Sequence, residues 1–110
     1  MLGMDKKSSR NGTNTVETLI GPRVVIRGDL QFSGGLYVEG KIIGKITAEE
    51  GSAAVLTVSE QGMIEGEVHV PVVVIAGSLH GDIHAGERVE LSPTAKVQGN
   101  VYYKIVEMAG

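Results

Sequence analysis

Residues 64–68, with the sequence IEGEV, and residues 79–83, with the sequence LHGDI, carry the pattern that decides the fold. In each segment a glycine is flanked on both sides by one variable residue and then by one aliphatic residue. Successive side chains of a strand point to opposite faces, so the two aliphatic residues of each segment face the same way. The glycine lets the backbone bend between them in a conformation that is costly for other residues. The pattern therefore predicts a strand bent around an apolar interior.

The same pattern recurs along the chain at a nearly regular spacing. Further copies occupy residues 26–30, 38–42, 42–46 and 97–101, and the glycines at 28, 44, 66, 81 and 99 follow one another in steps of 16, 22, 15 and 18 residues. The longest step contains an extra segment, residues 49–54, that we interpret as an inserted loop. A step of 15–18 residues provides three short strands and three corners, which predicts about five triangular coils stacked roughly 4.8 Å apart. The predicted corner glycines are Gly28, Gly40, Gly44, Gly66, Gly81 and Gly99.

The composition favours strands over helices. Among the 110 residues, 15 Val and 9 Ile outnumber 7 Leu, and β-branched side chains pack well on pleated sheets. Residues 5–15 contain no apolar side chain, so we expect residues 1–17 to form a disordered tail and residues 18–110 to form the folded domain. The net charge of −3 lacks the basic excess of a nucleic-acid-binding protein, and we expect no nucleic-acid partner.

Two other β architectures fit the sequence less well. A β-sandwich or barrel would need hairpin turns, but the only Asn-Gly pair is Asn11-Gly12 in the tail and no Asp-Gly pair occurs. A left-handed hexapeptide helix would place its aliphatic anchors six residues apart. The anchors here, at 26, 38, 42, 64, 79 and 97, mostly break that period. The stacked triangular coil remains the predicted fold.

The sequence contains no recognisable catalytic constellation. There are no cysteines, and the serines lie in the tail or at corners, so we predict no catalytic residue, no metal and no cofactor. An alternative stays open, in which His69, His80 and His84 hold a metal in a small β-helical enzyme. His69 and His84 occupy equivalent positions one coil apart, and all three imidazoles are expected to point outward.

The two ends of the predicted rod carry no capping element. Uncapped coils expose unpaired backbone groups and an open apolar cross-section, which predicts end-to-end self-assembly into a filament. The run of valines at 72–74 also cannot be fully buried by alternation, which leaves Val72 and Val74 on the outer surface. The predicted polymerisation interface consists of Val24, Val25 and Ile26 at one end and of Val101, Tyr103 and Ile105 at the other.

Several segments resemble the bactofilins, a family of bacterial cytoskeletal proteins. The likeness is carried by residues 28–30, 38–42, 66–68, 79–85, 87–95 and 99–103 and covers the whole folded part. The resemblance implies an all-β, right-handed triangular parallel β-helix (a β-solenoid) of five to six coils. It also implies a structural protein, not an enzyme, that polymerises without nucleotide and joins like end to like end, giving non-polar filaments. Family bodies continue for another coil, so we expect the last coil here to be truncated.

The N-terminal tail is similar to the short membrane-targeting stretches of this family. The residues concerned are Leu2 and Met4, followed by Lys6 and Lys7. The resemblance implies a cytoplasmic protein at the inner face of the cytoplasmic membrane. There it would act as a scaffold whose partners are other copies of itself and cell-envelope or shape-determining proteins.

Overall fold

A computed structural model describes residues 18–108, and every strand pair in it is parallel. The chain winds as a β-solenoid, which confirms the predicted fold and excludes sheets joined by hairpins. Within the described residues there is no helix, and hence none that is long and apolar enough to cross a lipid bilayer. The strands are β1 Thr18–Ile20, β2 Val25–Arg27, β3 Leu30–Phe32, β4 Gly35–Val38, β5 Lys41–Ala48, β6 Val55–Val58, β7 Met63–His69, β8 Val72–Ile75, β9 Ser78–His84, β10 Arg88–Leu91, β11 Lys96–Gln98, β12 Val101–Tyr102 and β13 Ile105–Met108.

Each coil presents three faces. Face A is built from β1, β4, β6, β8, β10 and β13, which pair side by side in that order. The long strands β5, β7 and β9 each contribute to two faces: the half before the central glycine lies on face B and the half after it lies on face C. Face B is extended by β2 at one end and by β11 at the other. Face C is extended by β3 and by β12 in the same way. The described residues therefore make five complete coils and the first strand of a sixth.

The glycines of the repeat stack on one another between faces B and C. Gly44 pairs with Gly66 and Gly66 with Gly81, and each of the series has a positive φ, for example +139° at Gly66. A Cβ added at Gly66 would overlap the carbonyl oxygen of Gly44. Both the backbone conformation and the close approach of neighbouring coils thus require glycine at this corner. The other members at positive φ are Gly28, Gly81 and Gly99.

Gly40 belongs to a different corner from the rest of the predicted set. It lies between β4 and β5, at the junction of faces A and B, and its φ is not positive. Gly62 and Gly77 occupy the same place in the next two coils, where the carbonyl oxygens of neighbouring turns leave no room for a Cβ. The molecule therefore has two columns of glycine, of which the repeat pattern identified one.

The aliphatic residues of the repeat form continuous columns inside the rod. On face B the column contains Ile42, Ile64 and Leu79, and on face C it contains Ile46, Val68 and Ile83, all fully buried. No charged or polar residue of the described part of the chain is buried. The interior is consequently a narrow aliphatic column that runs from one end to the other. Face A contributes Leu36, Val38, Leu56, Val58, Val73, Ile75 and Val89 to it.

All variation in coil length lies in two of the three corners. Six residues, 49–54, connect β5 to β6, whereas two residues connect β7 to β8 at the same corner. The remainder of the 22-residue step comes from residues 59–62, a four-residue connection where the neighbouring coils have two residues at 39–40 and 76–77. The glycine corner never changes length, because its residues stack directly on those of the adjacent coils.

Candidate assembly surfaces

The end of the rod that contains coil 1 exposes the first members of the interior columns. β1, β2 and β3 each pair with a strand on one side only within the described residues. Ile26 and Leu30 pair with Ile42 and Ile46, which continue their columns inward. They are only half-buried, as is Phe32. Among residues 18–108 this end therefore presents an open apolar cross-section, edged by backbone groups that have no strand partner in that part of the chain.

Two of the predicted interface residues at this end do not belong to that cross-section. Val25 is 53% exposed and pairs with Lys41, whose side chain points outward, so Val25 lies on the side of the rod. Val24 lies in the corner that precedes β2. Ile26 is the predicted residue that the structure places at the end of an interior column.

The opposite end also exposes apolar side chains. Val101 pairs with Ile83 and continues its column, and Tyr103 follows one residue past the Tyr102–His84 pair. Val106 and Met108 pair with Val89 and Leu91 and so extend the interior columns of face A. Met108 is 75% exposed, because no further coil covers it among the residues described.

Ile105, one of the predicted interface residues at this end, does not face the interior. Ile105 pairs with Arg88 on the outer side of face A, and it is Val106 that takes the inward position. A corner at residues 103–104 separates β12 from β13, and strand alternation does not continue through a corner. Sequence reasoning missed four residues that the register of the glycine columns assigns to the interior. They are Leu30, Phe32, Val106 and Met108.

The three histidines do not come together. His69 and His84 stack with ring centroids 4.4 Å apart on face C, and Tyr102 stacks on His84 at 4.7 Å. His80 pairs with Glu65 on face B, beyond the bend at Gly81. No group of ligating side chains in residues 18–108 is arranged to hold a metal ion. The histidine trio that motivated the enzyme alternative is thus split between two faces.

One histidine of the outward stack contacts a carboxylate. His69 Nε2 and Glu67 Oε1 lie 3.0 Å apart. The hydrogen bond from His69 lowers the pKa of the Glu67 carboxyl below its usual value, and desolvation opposes this shift. The contact fixes the orientation of one ring of the stack, and it lies on the exposed surface of a middle coil.

The outer surface of face A is apolar over its first four coils. One outward column contains Leu19, Tyr37, Thr57 and Val74, and a second contains Val55 and Val72. Leu19 is 59% exposed, and the others are half-buried. The sequence had indicated Val72 and Val74 for this position. Charged side chains enter these columns only in the last coils, at Arg88, Glu90 and Glu107.

A shallow groove lies along the edge of this apolar surface. It has a volume of about 370 Å³, and the residues that line it include Tyr37, Thr57, Glu39 and Glu60. Within residues 18–108 neither carboxylate forms an ion pair with a basic side chain. The groove thus combines an aromatic ring with two carboxylates that have no cationic partner in that part of the chain.

The predicted membrane-targeting residues lie outside the described part of the chain. This applies to Leu2, Met4, Lys6 and Lys7, and to the rest of the predicted tail. Their role stays a prediction.

Comparison with known proteins identifies relatives over the whole described region. A family model described as "Bactofilin: Polymer-forming cytoskeletal" matches residues 18–110. The chain is 33% identical over 92 residues to bactofilin BacO of Myxococcus xanthus, covering 84% of this chain and 70% of BacO. It is 29% identical over 89 residues to bactofilin BacP of the same organism, covering 81% of this chain but 35% of BacP.

A solved structure shows the same architecture. The crystal structure of a point mutant of a bactofilin from Thermus thermophilus superposes with a TM-score of 0.76 at 30% sequence identity. The match covers 86% of this chain and 99% of the Thermus chain.

Proposed function

Since the chain belongs to the bactofilin family of polymer-forming cytoskeletal proteins, we propose that it joins end to end into filaments. These filaments form without nucleotide and serve as a scaffold. The observation that carries the proposal is the pair of open ends. Interior columns that are fully buried in the middle of the rod terminate in half-buried and exposed aliphatic residues, which a second copy would cover.

The driving force of such a junction is the same as that of the fold. Fully burying one large aliphatic side chain is worth about 1.5–3 kcal/mol, and each end offers several. The backbone groups at the edge of the terminal coil would also gain partners across the junction. Because burial itself supplies the free energy, assembly needs no nucleotide hydrolysis.

We further propose that like ends join, so that the filament is non-polar. The two ends differ in shape, since one presents the three strands of coil 1 and the other carries the single strand β13 of a sixth coil. The N-terminal end thus offers three strand edges of one coil to a copy of itself. The β13 end has a step, which a second β13 end related by a two-fold axis can fill.

The decisive experiment compares Leu30→Arg with Gln31→Arg. Leu30 points into the open end, whereas its neighbour Gln31 is exposed on face C, so the two variants carry the same added charge on opposite sides of one strand. Leu30→Arg should abolish filaments in negative-stain electron microscopy, and Gln31→Arg should keep them. Circular dichroism verifies that both variants fold.

The size of the blocked species tests polarity. If like ends join, blocking one end leaves dimers held by the free β13 ends, and adding Val106→Arg converts them to monomers. Analytical ultracentrifugation distinguishes the two masses. Monomers from Leu30→Arg alone would contradict the non-polar arrangement, and unchanged filaments would contradict assembly through the ends.

We also propose that the filament binds the inner face of the cytoplasmic membrane and there recruits cell-envelope or shape-determining proteins. Leu2 and Met4 would enter the interface, while Lys6, Lys7 and Arg10 would contribute about 3 kcal/mol at an anionic surface, at about 1 kcal/mol per basic residue. A filament displays many such segments, and avidity multiplies their effect.

Vesicle sedimentation tests the membrane proposal. The double variant Lys6→Gln with Lys7→Gln should sediment less with anionic vesicles than the wild type does, whereas Lys96→Gln with Lys104→Gln should sediment as the wild type does. Equal sedimentation of the two double variants would contradict the proposal.

A further inference from the structure

Among the three faces of the rod, face A alone offers an uncharged outer surface beside a groove with carboxylates. On coils 1 to 4 its outward positions are Leu19, Gly35, Tyr37, Val55, Thr57, Val72 and Val74. Faces B and C carry charged groups at the corresponding places, such as Lys41 with Glu65 and Lys45 with Glu67. An occupant of face A should therefore combine apolar residues with cationic ones.

The charge of the chain is divided in a complementary way. Residues 18–108 contain seven Lys and Arg against eleven Asp and Glu, which gives −4, while residues 1–17 contain three basic and two acidic residues, which gives +1. The basic residues of the N-terminal segment, Lys6, Lys7 and Arg10, follow the apolar Leu2 and Met4, with the acidic Asp5 between the two groups. This order of apolar and then basic residues is the chemistry that face A and its groove require.

We propose that residues 2–10 of the same chain dock on face A. Leu2 and Met4 contact the apolar columns beside Leu19 and Val55, and Lys6 or Lys7 enters the groove formed by Tyr37, Glu39 and Glu60. Each carboxylate gains an opposite charge, and the ammonium lies over an aromatic ring, an arrangement that is favourable for cations.

The connection is long enough for this docking. The N-terminal segment joins the rod at Thr18, which pairs with Leu36 on face A itself. Glu60 lies in the corner two coils from β1, about 10 Å along the rod axis. Lys7 precedes Thr18 by eleven positions, and a random coil of that length has an end-to-end distance of about 17–20 Å. Tethering to the same molecule raises the local concentration to the millimolar range, so even a weak contact is populated.

Carbodiimide crosslinking of the unmodified full chain tests the proposal directly, because it couples lysine ammonium groups to carboxylates in contact. Mass spectrometry should find Lys6 and Lys7 joined to Glu39 or Glu60 at least about threefold more often than to Glu49 or Glu50. The latter pair is at least as accessible, being exposed in the 49–54 loop whereas Glu39 is half-buried, and so provides the control. Crosslinks spread evenly over the four carboxylates would overturn the proposal.

An equal mixture of ¹⁴N- and ¹⁵N-labelled chains assigns the crosslinks to one molecule or two. Docking within a chain gives crosslinked peptides with one isotope only. Peptides that combine both isotopes in half of the crosslinks would place the segment on a neighbouring copy, which overturns the same-chain assignment.

A matched pair of variants provides a second readout. Glu39→Gln with Glu60→Gln should raise the rate of tryptic cleavage after Lys6 and Lys7 about threefold, since trypsin must bind the free basic side chain. Glu49→Gln with Glu50→Gln removes the same charge and should leave the rate unchanged. Equal rates in both variants would overturn the proposal. A docked segment would also compete with membrane binding; that consequence rests on the proposed membrane role, whereas the crosslinking and proteolysis do not.

Discussion

The middle coils and the end coils of this rod are made from the same repeat but have different surroundings. Ile64 in the third coil and Ile26 in the first occupy one column, yet Ile64 is fully buried while Ile26 is half-buried. Gly66 and Gly28 likewise share a corner, and only Gly66 is stacked on a preceding coil. A residue's contribution to stability is therefore set by its position along the axis as much as by its type.

The difference indicates what an end coil lacks within residues 18–108. Each middle coil is supported from both sides, as in other repeat proteins whose stability is a sum over neighbouring repeats. In the described part of the chain an end coil is supported from one side, and under the proposed assembly a second molecule would support the other side. Substitutions at equivalent positions of a middle coil and of an end coil measure how much stability a neighbour on the second side adds.

We expect the largest difference in stability between the variants Gly66→Ala and Gly28→Ala. In the middle coil, alanine would suffer both the positive φ and the overlap with the Gly44 carbonyl oxygen, and we expect that variant not to fold. At the end, nothing lies within 4 Å of the added Cβ, so only backbone strain of about 1–3 kcal/mol remains. Circular dichroism and soluble yield compare the two; a well-folded Gly66→Ala protein would refute the stacked corner.

We expect a smaller difference in the free energy of unfolding between the variants Ile64→Ala and Ile26→Ala. Removing a fully buried isoleucine should cost about 2–5 kcal/mol, and removing the half-buried one should cost less than half of that in an end-blocked molecule. If the chain assembles as proposed, the cost at position 26 should rise toward that at 64, because the junction would bury Ile26. Guanidinium unfolding at fixed protein concentration measures both. A cost at position 26 that does not depend on assembly would argue against its burial in the junction.

A change confined to a variable corner should matter less still. Deleting residues 50–53 leaves a two-residue connection between β5 and β6, as between β7 and β8. We expect the free energy of unfolding to change by about 1 kcal/mol or less, since loop length has a weak effect on closure entropy. Deleting Pro71, where the connection is already short, should unfold the protein. Equal damage from both deletions would contradict the interpretation of the longer segment as an insertion.

We expect the smallest effect on stability from a substitution on the outer surface of a middle coil. The folded-state pKa of Glu67 lies below its ordinary value of 4.5, so its contact with His69 stabilises the fold above that pH and is lost as the pH falls through the folded pKa. Glu67→Gln should therefore differ from the wild type near neutral pH and converge with it in acid. Unfolding midpoints measured across this range, with Glu50→Gln as control, check the prediction. A difference that grows on acidification would have the wrong sign.

The repeat predicted the fold because glycine and aliphatic residues are each required at fixed places. Gly44, Gly66 and Gly81 fall in register as their spacing indicated. The ends were harder to predict from sequence. Alternation along 101–105 assumes one continuous strand, but the corner at residues 103–104 changes the phase and exchanges Ile105 for Val106. Val25 also belongs to the predicted interface, but its register partner Lys41 points outward, so Val25 lies on the side of the rod.

The tolerance of the corner at residues 49–54 has a practical consequence. It accommodates four residues more than the corresponding connection between β7 and β8 without altering the glycine register. A foreign peptide grafted there would project sideways, clear of both termini of the rod. If the molecules line up as proposed, with like ends joined, the graft would decorate a fibre at two alternating intervals that together equal the length of two protomers.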